Sequence, residues 1–329
     1  YLLQKREENE LSQAFTAYNT RIIKHPISGI FPVSPQSMKI MMMAFLLGLM
    51  IPAGIIYLLM ATDTKVRSRR DLKGVSVPFA GEIPLSAGAG SWAFGRRKAL
   101  GGADAVVVRK GCRDVANEAF RVLRTNLEFM MRKPGSKVVA VTSFNPGSGK
   151  SFVSSNLAVC LAIKGRRVLA IDGDMRHGSL SEIVGSPRQG LSDYLAGIAA
   201  DVHDVIVRPK DTAAPDVLPV GAIPPNPAEL IADRRFADMV AALRGEYDVI
   251  IIDCPPVDIV TDARVINDHV DRTLFVLRAG LLDKAMLPDL DALYRDGEYR
   301  NLCCVLNGTA SSDSYYGTTY GHYGYYGHN

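Results

Sequence analysis

The chain has 329 residues, of which 47% are hydrophobic and 22% charged, and its formal net charge is +4. This length accommodates one sizeable folded domain with additional segments. The modest charge, without interleaved basic and aromatic patches in the predicted folded region, gives no indication of nucleic-acid binding. Five scattered cysteines without CxxC or zinc spacing favour buried thiols in a reducing cytoplasm. Because the first residue is Tyr1 rather than Met, we expect a longer parent protein.

The first stretch, residues 1–37, is predicted to combine a charged helix with a proline-rich segment. Residues 1–20 have the composition of a helix end, and both a coiled coil and an ordinary solvated helix fit it. The three prolines within residues 25–37 exclude a continuing helix.

An uncharged stretch of 22 residues follows, from residue 40 to residue 61. At about 1.5 Å per residue, a helix of this length spans roughly 33 Å, enough to cross the hydrocarbon core of a bilayer. The alternative is a buried core helix, but soluble helices of six turns rarely lack a polar face. The sequence therefore predicts one transmembrane helix over residues 38–61.

The segment after this helix is basic, and by the positive-inside rule it faces the cytoplasm. Arg21, Lys24 and Lys39 on the other side weaken the charge argument, which the cysteine usage and the nucleotide motifs described below reinforce. Residues 62–104 are predicted to form a basic juxtamembrane segment and then a flexible Gly-, Ala- and Ser-rich linker. The basic residues beside the membrane are Lys65, Arg67, Arg69, Arg70 and Lys73.

A compact domain is predicted over residues 105–309, where apolar β-branched runs alternate with helical patterns. Such alternation is typical of buried parallel strands connected by helices. The sequence therefore predicts an α/β fold with a doubly wound, mostly parallel sheet. The predicted strands are residues 137–143, 166–172, 247–253, 272–278 and 302–307.

The clearest nucleotide signal is SFNPGSGKSF, residues 143–152, which lies between a predicted strand and a predicted helix. Glycines let a loop wrap closely around phosphates, and a helix N-terminus adds partial positive charge. Lys150 is predicted to reach the β- and γ-phosphates of ATP, and the Ser151 hydroxyl to bind Mg²⁺. The strict GxxxxGK[ST] pattern fails at Phe144, so this is a variant P-loop. The predicted ATP-binding residues here are Gly147, Ser148, Gly149, Lys150, Ser151 and Phe152.

Two further predicted strands end in carboxylates. Asp172 and Asp174 follow one strand, and Asp253 ends another, directly before Cys254-Pro255-Pro256. Ligands bind at the carboxyl ends of strands in open α/β sheets, where acids hold Mg²⁺ or accept a proton from an attacking hydroxyl. Taken alone, a solvated turn or an ordinary strand end explains each motif as well. Beside a P-loop, we favour the functional interpretation.

The C-terminal segment, residues 310–329, is rich in tyrosine and glycine, and glycine disfavours a stable helix or strand. Its flexible hydroxyl groups suit a phosphate acceptor; the alternative is an adhesive low-complexity tail. The six tyrosines are Tyr315, Tyr316, Tyr320, Tyr323, Tyr325 and Tyr326.

One helical stripe carries Glu118, Arg121 and Arg124, spaced three residues apart. A solvated charged face is the ordinary interpretation of such a stripe. An interface is the alternative, because arginine suits bidentate pairing across subunits.

Together these motifs resemble those of the BY-kinases, the bacterial tyrosine kinases of capsule and exopolysaccharide export. That family combines a Walker A loop, a Walker A′ strand ending DxD, a Walker B strand ending DxxP, an ExxRxxR oligomerisation motif and a C-terminal tyrosine cluster. The resemblance covers residues 105–329 and places this domain in the P-loop NTPase class. The counterparts of these motifs here are Lys150, Asp172 with Asp174, Asp253 with Pro256, Glu118 with Arg121 and Arg124, and the tail tyrosines.

The resemblance implies an ATP- and Mg²⁺-dependent autokinase of the bacterial inner membrane, with residues 1–37 in the periplasm. It also implies an octameric ring in which each tail enters the next subunit. A protein-tyrosine phosphatase and the polysaccharide polymerisation and export machinery are the implied partners, and no nucleic acid is expected. A first membrane helix and a periplasmic domain are expected upstream of Tyr1.

For the mechanism, we expect Ser151, Asp172 and Asp253 to organise Mg²⁺. Lys150 is expected to offset phosphate charge, and either Asp174 or Asp172 to accept the tyrosine proton. Similar ATPases suggest that Asn307 contacts the adenine. Two rival functions stay open: a ParA/MinD-like ATPase switch and a non-catalytic polysaccharide co-polymerase scaffold.

Overall fold

The computed structural model describes residues 1–15, 36–85, 106–211, 213–257 and 262–310. The chain divides into two compact units, Tyr1–Asp63 and Thr64–Asn329. Most of the proline-rich segment, the Gly-rich linker after residue 85 and the tyrosine tail lie outside the described residues.

The first unit contains two described helices, α1 (Leu2–Phe15) and α2 (Ser37–Ala61). The second has a mean hydropathy of 2.3 over 18 residues, and none of that window is buried within the chain. A helix that is apolar on all sides needs an apolar environment, and its 25 residues are long enough to cross a bilayer. Its bounds agree with the transmembrane helix predicted over residues 38–61.

The second unit is built on one sheet of seven strands, and every pairing between them is parallel. The spatial order is β1-β7-β6-β2-β5-β3-β4. The strands are β1 (Phe79–Pro84), β2 (Val138–Thr142), β3 (Val168–Asp172), β4 (Asp216–Leu218), β5 (Val249–Asp253), β6 (Arg272–Arg278) and β7 (Cys303–Thr309).

Helices cover both faces of this sheet, which confirms the predicted doubly wound α/β fold. On one face, Phe120 and Leu157 pack against the strand residue Val141, whereas Phe236 and Ile252 belong to the core of the opposite face. The central strands β2, β3 and β5 are almost entirely apolar because neither face of the sheet meets water there. The described helices of this unit are α3 (Val115–Met130), α4 (Lys150–Ile163), α5 (Leu191–Leu195), α6 (Pro227–Ala232), α7 (Arg234–Glu246), α8 (Asp262–Asn267) and α9 (Leu287–Arg295).

The compact unit begins at Thr64, earlier than the boundary at residue 105 that the sequence predicts. Val66 is fully buried, and its amide donates to the carbonyl of Leu282 at 2.9 Å. The strand β1 then joins the sheet at its edge beside β7. Part of the basic segment is therefore packed against the domain. For example, the Arg69 guanidinium lies 4.9 Å from the centre of the Phe79 ring.

Candidate functional site

The predicted site lies at the carboxyl ends of three adjacent strands. β5 pairs with β2 on one side and with β3 on the other, and Asp172 stands in register with Asp253. The P-loop follows β2 directly, so it leaves the sheet beside these two acids. The parallel arrangement therefore brings together three motifs that are far apart in sequence, as expected for an open α/β sheet.

The P-loop adopts a left-handed backbone at Gly147 (φ +74°) and at Gly149 (φ +88°), which immediately precedes α4. A Cβ on Gly149 would clash with the side-chain nitrogen of Asn307, so no other residue fits there without a shift. That Asn307 amide donates to the carbonyl of Ser148 at 2.9 Å and braces the loop from β7. The predicted adenine contact of Asn307 stays a prediction.

Two phenylalanines of the loop point into apolar packing. Phe144, the departure from the strict pattern, is 4% exposed, and its ring lies 4.7 Å from that of Phe275. Phe152 stacks edge-on against Phe120 of α3, with ring centres 5.8 Å apart. The aromatic side chain at position 144 thus belongs to an apolar cluster that includes Phe275 of β6. The predicted role of Phe152 in ATP binding stays a prediction.

Asp253 is fully buried at the end of β5 and is held by two hydroxyls from the first two turns of α4. Ser151 Oγ donates to Oδ2, and Ser154 Oγ donates to Oδ1 at 3.0 Å. Burial raises the pKa of Asp253 to about 6, although the Lys150 charge and both serines oppose this rise. Lys150 itself is 8% exposed at the start of α4.

Asp172 is also fully buried, and only one of its oxygens is engaged. Oδ2 accepts hydrogen bonds from the Ser181 backbone amide at 2.8 Å and from its hydroxyl at 2.7 Å. Oδ1 has no partner among the described residues. Burial, together with the neighbouring Asp253 charge, raises the pKa of Asp172 to about 7. A buried carboxylate oxygen without a donor indicates a position for a cationic or hydrogen-donating ligand.

Asp174 stands two residues beyond the end of β3 and is 5% exposed. Its Oδ1 lies 3.3 Å from Nδ1 of His177, whose own side chain is mostly exposed. The glycine between the two acids is required by packing, because a Cβ on Gly173 would lie 2.9 Å from the Asp253 carbonyl oxygen. The DxD turn therefore packs tightly against the end of β5.

The donors at this edge fit Mg²⁺ bound together with a nucleotide. The described residues include no set of three or more His, Cys, Asp or Glu side chains arranged to enclose a metal. Mg²⁺ usually keeps several waters and is held by one or two carboxylates plus substrate phosphates. The Ser151 hydroxyl, Asp253 and the unpartnered oxygen of Asp172 match that partial set. A free acidic cluster this deeply buried is costly without a cation.

The predicted interface stripe makes contacts within its own chain. Arg121 pairs with Glu118 at 3.1 Å, and Arg124 donates to the Cys160 carbonyl of α4 at 3.2 Å. Glu118 and Arg121 keep about a third of their side chains exposed, with 35% and 37% accessible. The role predicted for Glu118, Arg121 and Arg124 in oligomerisation stays a prediction. The six predicted phosphoacceptor tyrosines lie outside the described residues.

Three features of this site were not predicted from the sequence. They are the hydroxyls of Ser154 and Ser181 and the hydrogen bond from Asn307 to the P-loop. Ser154 lies three residues after Ser151 on α4 and therefore shares its face, so helical spacing could have indicated it. Ser181 has no such signal, because it reaches Asp172 from a 3-10 turn nine residues later. The contact of Asn307 with the loop joins groups 159 residues apart.

The fold and the site define a P-loop protein of the α/β class. A family model described as an AAA domain matches residues 136–269. The kinase domain of Escherichia coli tyrosine kinase ETK is 32% identical, with a TM-score of 0.64, covering 73% of this chain and 93% of that domain. The BceF tyrosine kinase domain is 31% identical, with a TM-score of 0.63, covering 74% and 99%.

The tyrosine-protein kinase Wzc of Salmonella typhi is 33% identical over 292 residues, which cover 84% of this chain. The chain spans about two fifths of the length of this curated relative, 39%. The match to complete kinase domains in sequence and fold shows that the chain belongs to the BY-kinase family of bacterial tyrosine kinases.

Proposed function

We propose that this chain is the membrane-anchored cytoplasmic end of an ATP-dependent protein-tyrosine autokinase. The observation that carries the proposal is the meeting of Lys150, Asp172 and Asp253 at one edge of the sheet. It is supported by the match to kinase domains over more than nine tenths of their length. We propose the tyrosine-rich tail, residues 310–329, as the phosphate acceptor.

In this proposal the chain binds the triphosphate through the P-loop and the N-terminus of α4. The loop amides and the Lys150 ammonium stabilise negative charge on the phosphate oxygens during transfer. Ser151, Asp253 and Asp172 would hold Mg²⁺, which would supply further neutralisation of phosphate charge. Because the Asn307 brace fixes the loop beforehand, little rearrangement is needed on binding.

The transfer breaks the bond between the γ-phosphorus and its bridging oxygen and forms a new bond to the tyrosine oxygen. ADP leaves, and the phenolic proton passes to a carboxylate. We assign that carboxylate to Asp174 rather than Asp172, because Asp174 lies beyond the strand end and keeps some exposure. A phenol of pKa about 10 is neutral at pH 7, so an acceptor for its proton is needed.

The apolar helix α2 would anchor the chain in the inner membrane, with the kinase domain in the cytoplasm and residues 1–37 outside. The basic residues after α2 support this orientation.

We further propose assembly into a ring, with Glu118 and Arg121 at the subunit interface and each tail entering its neighbour's site. Each phosphate adds about −1.5 to −2 charge, so a multiply phosphorylated tail would be repelled. Such cycles would regulate polysaccharide polymerisation and export, and a cognate phosphatase would reset them.

The test is incubation of the full chain, purified in detergent, with γ-labelled ATP, followed by mass spectrometry of residues 315–326. Label on tail tyrosines supports the autokinase. Release of phosphate without protein label would instead support an ATPase switch, and neither product would support a non-catalytic scaffold.

The substitution Lys150→Met should abolish tail phosphotyrosine while leaving the protein folded. Lys164→Met is the matched control, because Lys164 follows the same helix but pairs with Glu128 at 2.6 Å, away from the phosphate loop. Persistent phosphotyrosine in purified Lys150→Met protein would refute the proposed mechanism.

A further inference from the structure

Only one of the two carboxylate oxygens of Asp172 accepts hydrogen bonds from the described residues. Both hydrogen bonds from Ser181, at 2.7 and 2.8 Å, go to Oδ2. The other oxygen, Oδ1, is buried and has no partner among the described residues. Ser181 is itself buried, with 4% of its surface exposed. The two oxygens of one carboxylate therefore have different roles in the structure.

The direction of the Ser181 hydroxyl is fixed by a third group. Its oxygen accepts a hydrogen bond from the backbone amide of Val220 at 2.9 Å. A hydroxyl has a single proton to donate, and here the amide of Val220 occupies an acceptor position. The proton of Ser181 is thus directed at Asp172, which fixes the rotation of that carboxylate.

The amide of Val220 is held in place by hydrogen bonds of the neighbouring backbone. The carbonyl of Pro219 accepts from Leu191 at 2.8 Å, and the carbonyl of Val220 accepts from Ser192 at 3.0 Å. A Cβ on Gly190 would clash with the Pro219 carbonyl oxygen, so the two segments are in close contact. The loop after β4 is therefore a rigid support for Ser181.

We infer that Ser181 is a positioning residue that keeps Oδ1 of Asp172 directed at the divalent cation or its water. This inference rests on the proposed function, which assigns Asp172 to the Mg²⁺ site. Carboxylates that hold metals are themselves oriented by hydrogen bonds, and removing such a partner typically costs about 10- to 100-fold in metal affinity or activity. Ser181 supplies both of the hydrogen bonds that orient Asp172.

The test measures Mn²⁺ binding to the full chain in detergent with ADP present, from the loss of the free-ion signal in electron paramagnetic resonance. Ser181→Ala should weaken Mn²⁺ binding about 10-fold. Asp172→Asn is the reference variant, and its loss of Mn²⁺ affinity should equal or exceed that of Ser181→Ala. Wild-type affinity in Ser181→Ala beside a loss in Asp172→Asn would overturn this inference alone. Wild-type affinity in both would overturn the assignment of Asp172 to the metal as well.

A matched control separates positioning from general loosening of the loop. Ser192 is a buried serine on α5. Its hydroxyl donates to the carbonyl of Ala222, which belongs to the loop that supports Ser181, at 2.7 Å. Ser192→Ala should lower the melting temperature and keep wild-type Mn²⁺ affinity; an equal loss of affinity in both variants would overturn the inference. If Ser181→Ala fails to fold, Ser181→Cys is measured instead. Its thiol is a weaker hydrogen-bond donor than the hydroxyl, so it should lose less Mn²⁺ affinity than is expected for Ser181→Ala. Wild-type affinity in that variant would refute the role.

Discussion

The side-chain amide of Asn307 donates to the backbone carbonyl of Ser148 at 2.9 Å and so connects the last strand of the sheet to the P-loop. Both groups are buried, so the bond is not in competition with water. The pairing keeps the loop in its phosphate-binding shape from outside the loop. The last strand, which carries none of the proposed catalytic acids, thereby contributes to the proposed nucleotide site.

Asn307→Ala should weaken ATP binding about 5- to 30-fold. Loss of a buried hydrogen bond with an unsatisfied carbonyl costs on the order of 1–2 kcal/mol, and the loop would lose its brace. A titration with a fluorescent ATP analogue measures the change. Asn126→Ala is the control, because the Asn126 amide makes the same kind of bond to the Ala80 carbonyl, at 2.8 Å, away from the loop. Equal affinity losses in the two variants would contradict a specific brace.

Gly149→Ala should abolish measurable ATP binding, since it combines backbone strain at φ +88° with a contact to Asn307. Gly165 is a natural control, because it has the same φ of +88° but nothing within 4 Å of an added Cβ. Gly165→Ala should cost only about 1 kcal/mol of unfolding free energy through backbone strain. Urea unfolding and nucleotide titration compare the two. Normal binding in Gly149→Ala would show that the loop tolerates a shift of Asn307.

The stability of the domain should fall at acid pH partly through Asp271. Burial raises the pKa of this carboxyl, but hydrogen bonds from Arg244 and from the amides of Val138 and Lys137 outweigh burial and leave the pKa lowered. A lowered folded-state pKa stabilises the fold above the unfolded value of about 4, and this contribution is lost as the pH falls through the folded pKa.

Asp271→Asn should therefore lower the unfolding free energy near pH 7 by roughly 1.5–3 kcal/mol, the scale of a hydrogen bond to a charged group. The difference from wild type should shrink as the pH falls below about 4. Urea unfolding at several pH values measures this difference. Asp238→Asn is the control, because Asp238 lies on the exposed surface of α7, 66% accessible. A constant difference at all pH values would contradict the assigned role of Asp271.

Arg121→Ala should reduce self-association of the full chain if the stripe on α3 is the proposed interface. Arginine and its partner Glu118 remain accessible enough to pair with a second subunit. Sedimentation velocity in detergent measures the change in mass. Arg234→Ala is the control, because it also removes an ion pair within one helix, here with Asp238 of α7 at i, i+4. It should leave the mass of the assembly unchanged. Unchanged assembly in Arg121→Ala would remove this residue from the interface.

The apolar span, the five central strands and the P-loop could all be predicted from the amino-acid sequence. Each of these is encoded in consecutive residues: an uncharged run, a β-branched run, or a strand, a glycine loop and a helix in direct succession. The acids Asp172 and Asp253 were also accessible, because parallel strands bring their carboxyl ends to one edge.

The other groups that surround these acids depend on how the chain folds in three dimensions. The strand β1 joins the sheet through β7, more than 200 residues later, and its sequence FAGEIP lacks a long apolar run. Ser181 and Asn307 reach the site through chain reversals and strand order, which residue spacing does not encode. Strands and loops follow from local propensity and hydrophobic pattern, whereas hydrogen bonds between distant segments depend on how the packed elements lie beside one another.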